Sequence, residues 1–133
     1  MKKILIVDDE KRGNIPFLME ALDKKGFLFT HLTSAHKALE TLQSELFDLI
    51  ILDIMMPIPK LWSNHLKNDC ENGLKTGLVL HREIRNANPS IPVLIYSSVG
   101  EIQISDKYTT YLRKPELNET IIEKIDEMLG IED

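Results

Sequence analysis

Five polar residues stand where short apolar runs end. Asp8 and Asp9 close Ile4-Leu5-Ile6-Val7, and Asp53 closes Leu49-Ile50-Ile51-Leu52. Ser97 follows the run from Ile91 to Tyr96, and Lys114 follows Tyr108 to Leu112. Three carboxylates brought to one place repel one another and resist full ionisation. A hard divalent cation resolves the conflict. Mg²⁺ takes a few carboxylates, keeps several waters and completes its shell with phosphate oxygens. An aspartate in such a cluster can attack a phosphoryl donor and form an acyl phosphate. The metal offsets the charge of the incoming group and aligns it. A lysine adds a point charge for a phosphate oxygen, and a serine hydroxyl adds a hydrogen bond. Acid pair, acid, hydroxyl and lysine make a complete phosphoryl-binding set.

These residues need elements that converge. Ile4 to Val7 reads as a strand buried on both faces. Asn14 is expected to cap a helix with Pro16 in its first turn and Phe17, Leu18, Ala21 and Leu22 inside. Gly26 stops it after Lys24-Lys25. Phe27 to Leu32 is a second strand, and Ser34 caps a helix carrying Ala35, Ala38, Leu39 and Leu42. Phe47 to Leu52 is the third strand, and the spacing of Leu78, Leu80, His81 and Ile84 makes Gly77 to Ala87 helical. Ile91 to Tyr96 and Tyr108 to Leu112 are the last two strands. Pro115 introduces a final helix with Leu117, Ile121, Ile122, Ile125, Met128 and Leu129 facing the core. Alternating strands and helices mean a parallel sheet covered on both faces. In such sheets the site lies beyond the strand C-termini, where the five polar residues fall.

The 133 residues suffice for one domain, so 1–133 reads as a single unit. At 43% hydrophobic and 28% charged, the composition is that of a globular protein. No apolar run is long enough to cross a bilayer, and no membrane role is expected. A lone cysteine, Cys70, rules out an internal disulfide and suits a reducing cytoplasm. A net charge of −5 argues against direct nucleic-acid binding. Neither a G-x-G-x-x-G after the first strand nor a G-x-x-x-x-G-K-[ST] occurs, which disfavours a nucleotide site.

Several stretches, taken in order, resemble the receiver domains of bacterial response regulators. They are Ile4 to Glu10, Asp48 to Pro57, Gly77 leading into Arg85, Ile91 to Ser98, and Tyr111-Leu112-Arg113-Lys114-Pro115. The resemblance covers nearly the whole chain. It implies a flavodoxin-like (βα)5 three-layer sandwich, chemotaxis-regulator-like, with the sheet in order 2-1-3-4-5. Asp53 would be the phosphoacceptor. Asp9 would bind Mg²⁺ directly, Asp8 directly or through water, and Met55 through its backbone carbonyl. Ser97 would turn toward the phosphoryl group, and Tyr111 occupies the aromatic switch position. Lys114-Pro115 resembles the family's cis bond, which would aim the lysine inward. The donors would be a histidine kinase or a phosphotransfer protein, and the output an unidentified protein target. The domain would act as a switch rather than an enzyme.

Two stretches depart from that pattern. An insertion of nineteen residues, Ile58 to Thr76, follows the strand bearing Asp53. Loops of that length in compact domains are functional or disordered. Trp62, with Leu61 and Leu66, can pack down as a short helix or serve as an aromatic anchor. His65, Asp69, Cys70 and Glu71 match no zinc spacing and read as a solvated loop. His31, His36 and His81 read as surface or satisfied residues. The second departure is a shortened fourth helix, because only sixteen residues separate Ser97 from Lys114. These departures leave room for a non-phosphorylated pseudo-receiver that acts as an interaction module. A hydrolase with an aspartate nucleophile is disfavoured, because the position two residues after Asp53, where a general acid would stand, is Met55.

Overall fold

The computed structural model describes residues 1–10, 13–100, 102, 104 and 106–131. Five strands lie in order β2-β1-β3-β4-β5: β1 Lys3–Val7, β2 Leu28–Leu32, β3 Leu49–Leu52, β4 Val93–Ser97 and β5 Thr109–Arg113. All neighbours pair in parallel. The helices are α1 Asn14–Lys24, α2 Ala35–Ser44, α3 Asn64–Asp69, α4 Thr76–Ala87 and α5 Asn118–Leu129. None is long and apolar enough to cross a membrane, among the described residues.

Strand side chains alternate between the two faces. Leu5, Val7, Ile50, Leu52, Val93 and Ile95 face α2 and α4. Ile4, Ile6, Leu49, Ile51, Leu94 and Tyr96 face α1 and α5. The continuous apolar runs of β1 and β3 are therefore explained: both of their faces are covered. This is the flavodoxin-like sandwich, in the strand order expected.

Some local expectations need correction. Asn14 does not cap α1; the cap position is Gly13, and no side chain there makes a capping bond. The Glu10 Oε1 carboxylate instead accepts from the Asn14 N–H at 3.2 Å. Phe17 is 63% exposed, because α1 buries the stripe of Ile15, Leu18 and Leu22. Leu117 is 64% exposed, because it precedes the first residue of α5 instead of lying within it. Ser34 does cap α2, accepting from Lys37 N.

After β3, Trp62 packs down as one of its two expected roles allows, while Cys70, expected to be solvated, is not. Trp62 and Cys70 are buried against the α2/α4 core, and α3 spans Asn64–Asp69. The Cys70 thiol donates to the Leu66 carbonyl. Leu61 stays 79% exposed. Between β4 and β5 no described residue is helical; residues 101, 103 and 105 lie outside the described set. The shortening expected there thus leaves no helical turn among the described residues.

That connection is instead tied to α4 by a polar network. The Arg85 guanidinium donates to Asp106, to the Ile91 carbonyl at 2.6 Å and to Thr109 Oγ1 at 2.9 Å. The Thr109 hydroxyl donates to Asp106 at 2.8 Å, so His81 Nε2, also 2.8 Å from that oxygen, meets it as an N–H donor. Burial alone would raise the Asp106 carboxyl. The Arg85 hydrogen bond, the Tyr108 N–H and the Thr109 hydroxyl outweigh it and hold the group at about 2. A depressed carboxylate adds stability that is present above its ordinary value and lost as pH falls through its folded value. Arg85→Gln should therefore move the acid-unfolding midpoint upward, followed by circular dichroism. An unchanged midpoint would mean the network contributes nothing to acid resistance.

Candidate functional site

The carboxyl edges of β1, β3, β4 and β5 bring the polar residues together. Asp53 N donates to the Val7 carbonyl at 2.9 Å, which continues the β1–β3 register by one residue. This sets Asp53 beside Asp8. One carboxylate oxygen from each of Asp8, Asp9 and Asp53 lies within 4.8 Å of the others. Asp8 and Asp53 are buried, at 2% and 8% exposure, and Asp9 is more open. Asp8 and Asp53 each also accept a local backbone bond. Asp8 Oδ1 accepts from Glu10 N, and Asp53 Oδ1 accepts from Ile54 N, both at 2.8 Å.

Lys114 closes the site from β5. Its N–H donates to the Ser97 carbonyl at 2.9 Å, and its peptide bond to Pro115 is cis. The ammonium lies 2.6 Å from Asp8 Oδ2, 3.1 Å from Glu10 Oε2 and 3.4 Å from Asp53 Oδ2. It also stands 5.4 Å above the Tyr96 ring centre, within cation–π reach. Burial pushes the Asp8 carboxyl up, and the Lys114 and Glu10 hydrogen bonds only partly reverse that. Burial alone would lower the Lys114 ammonium. Its bond to Asp8 and the charges of Asp8 and Asp53 prevail and hold it well above the usual lysine range. The lysine is thus a fixed cation.

The other expected residues sit close by but do not join this cluster through their side chains. Ser97 is fully buried at the end of β4, and its hydroxyl accepts from Val99 N at 3.4 Å. The Tyr111 hydroxyl donates to the Val99 carbonyl and lies 3.4 Å from the Ser97 carbonyl. Met55 is 46% exposed on the segment leaving β3.

Three residues escaped the sequence reading as site components. Glu10 is the third acid on Lys114. The Tyr96 hydroxyl accepts from Asn14 Nδ2 and Glu116 N, joining the first turn of α1 to the β5–α5 connection beneath Lys114. Gly77 brings α4 against the backbone of Asp53 and Ile54, its N–H donating to the Ile54 carbonyl at 2.7 Å. The acid run Asp8-Asp9-Glu10 was a signal for Glu10; nothing in the sequence marked Tyr96.

The site is one that can hold a cation and an anion side by side: clustered carboxylates for a hard metal, and an ammonium facing the same space. No protein-family model matches the chain. The response regulator receiver protein CpdR of Brucella abortus is 42% identical over 57 residues, covering 43% of this chain and 47% of CpdR. The transcriptional regulatory protein CusR of Escherichia coli is 29% identical over 101 residues, 76% of this chain and 37% of CusR. The chain therefore spans less than half the length of these relatives. A crystal structure of the response regulator TrrA of Thermotoga maritima, in complex with Mg²⁺ and BeF, superposes with a TM-score of 0.72 at 28% identity, over 97% of this chain and 100% of that one. TrrA has also been crystallised in complex with the histidine kinase ThkA.

The chain is similar in sequence and fold to the receiver domains of response regulators. The acids, the lysine and the serine stand at the strand ends.

Proposed function

We propose that this receiver domain takes a phosphoryl group onto Asp53 from the phosphohistidine of a histidine kinase or phosphotransfer protein, and acts as a conformational switch. The observation that carries the reading is the Lys114 ammonium held among Asp8, Glu10 and Asp53 beside a three-carboxylate cluster. In the transfer, an Asp53 carboxylate oxygen forms a bond to phosphorus while the histidine nitrogen–phosphorus bond breaks and the imidazole leaves. Asp8, Asp9, Asp53 and the Met55 carbonyl would hold Mg²⁺. Bound there, the ion supplies charge neutralisation for an incoming phosphoryl group. Lys114 orients one phosphoryl oxygen, and Ser97 offers its hydroxyl to another.

The domain reading covers residues 1–133, with 58–76 as an insertion. Partner choice and output would run through protein contact in the cytoplasm, without direct nucleic-acid or membrane binding. The Tyr111 hydroxyl, bonded into the 97–99 backbone, is placed to sense a movement of Ser97. Phosphorylation would then shift a pre-existing equilibrium through that connection.

Intact-mass measurement after incubation with phosphoramidate and Mg²⁺ tests the reading. The wild type should gain the mass of one phosphoryl group, and Asp53→Asn should gain none. An adduct that survives Asp53→Asn sinks the assignment. The absence of a helical turn among the described residues between β4 and β5 favours a second reading, a pseudo-receiver that only binds partners. Millimolar Mg²⁺ that leaves the amide spectrum unchanged would select it.

A further inference from the structure

A lysine ammonium has three protons to donate. In Lys114 all three meet carboxylates: Asp8 at 2.6 Å, Glu10 at 3.1 Å and Asp53 at 3.4 Å. A phosphoryl oxygen arriving at Asp53 can gain one of those protons only if an acceptor withdraws. The three acceptors differ in how easily they can do so. The Asp8 side chain is 2% exposed and would be left buried without its cation. Asp53 is the acceptor of the phosphoryl group itself. The Glu10 side chain is 33% exposed and can return its carboxylate to water.

Glu10 is held in place from its other side. Its Oε1 accepts from the Asn14 N–H, the first residue of α1, where the helix dipole favours a negative charge. Gly13, at φ 84, brings the chain close against the same oxygen; a Cβ there would lie 2.3 Å from it. So Glu10 is not a drifting surface acid. It bridges the start of α1 to Lys114, and it places a fourth negative charge beside a site that must admit an anion.

We propose that Glu10 is a positioning residue that occupies the third proton of Lys114 in the resting site, opposes phosphoryl entry, and is displaced when the phosphoryl oxygen arrives. The inference rests on the reading of Asp53 as acceptor. It adds a restraint that sets how readily the domain is phosphorylated, and a link through which the state of the site reaches the first turn of α1.

The test compares wild type, Glu10→Gln and Glu10→Ala in two titrations. Bound beryllofluoride is followed by ¹⁹F NMR at saturating Mg²⁺, and Mg²⁺ alone is followed by amide shifts. Both variants should bind beryllofluoride about three- to tenfold more tightly, as expected for removing one repelling charge a few ångströms from the anion. Their Mg²⁺ affinity should stay level or fall, since Glu10 lies outside the three-carboxylate cluster. A variant that merely loosened the fold would weaken both. Glu10→Ala excludes a new donor from the glutamine amide as the cause. Beryllofluoride binding that is unchanged or weaker in both variants, with the wild type binding normally, overturns the proposal. A wild type that takes up no beryllofluoride overturns the acceptor reading instead, and this inference with it.

Discussion

Lys114→Met should slow phosphoryl uptake from a small donor by about 10²–10³-fold, the usual effect of deleting one preorganised charge at a reacting oxyanion. It should also destabilise the metal-free domain. Asp8 and Asp53 are buried, and Lys114 is the cation that both of them touch. Removing one side of a buried ionic cluster leaves the remaining charges uncompensated, at a cost of about 3–5 kcal/mol. Methionine preserves most of the lysine stem's packing, so the loss isolates the charge. Mg²⁺ should then stabilise the variant more than the wild type, because among the described residues no other cation touches its buried carboxylates. Urea unfolding with and without Mg²⁺ measures both effects. A variant as stable as wild type without the metal would show that the acids are adequately solvated on their own. The kinetic loss would then rest on orientation alone.

The part of this site that the sequence disclosed is the part built on strand ends. Parallel strands buried on both faces must be continuous apolar runs, so Ile4–Val7 and Leu49–Leu52 declare themselves. The residue that follows such a run is at the sheet's carboxyl edge by construction. Asp8, Asp53, Ser97 and Lys114 were legible for that reason. Glu10 stands three residues beyond the end of its strand, so the strand-end rule does not reach it, and the acid run Asp8-Asp9-Glu10 is its one signal. The Arg85–Asp106–Thr109–His81 network was hidden: single polar residues 21 to 28 positions apart carry no period. The burial of Cys70 is not legible, because the six residues of α3 that precede it complete too few turns to display an apolar stripe. Phe17 and Leu117 failed for the opposite reason. Phe17 lies beside the buried stripe of α1, and Leu117 lies just before α5; only the packed structure separates such positions from the stripe itself.

Gly77→Ala should cost about 3 kcal/mol or more of stability, through a clash with backbone rather than with a flexible side chain. A Cβ at position 77 would lie 2.0 Å from the Asp53 carbonyl oxygen and 2.5 Å from Ile54 Cα. Neither neighbour can yield alone, since Asp53 N is bonded to Val7 in the sheet and the Ile54 carbonyl accepts from Gly77 itself. Relief requires α4 to retreat from β3. That breaks the 2.7 Å bond between Gly77 N and Ile54 O and loosens Leu80 and Ile84 from the core. The conformation at Gly77 is otherwise ordinary, so space and not backbone freedom is what demands glycine there. The same displacement disturbs the Ile54 N–H that holds Asp53 Oδ1, so phosphoryl uptake should fall along with the urea midpoint. Gly100→Ala supplies the control, because among the described residues nothing lies within 4 Å of its would-be Cβ; its effect should stay within about 0.5 kcal/mol. Should Gly77→Ala unfold at the wild-type midpoint yet lose uptake, α4 would be able to slide without loss of packing. The close approach of α4 to β3 would then serve the placement of Asp53 and not the stability of the fold.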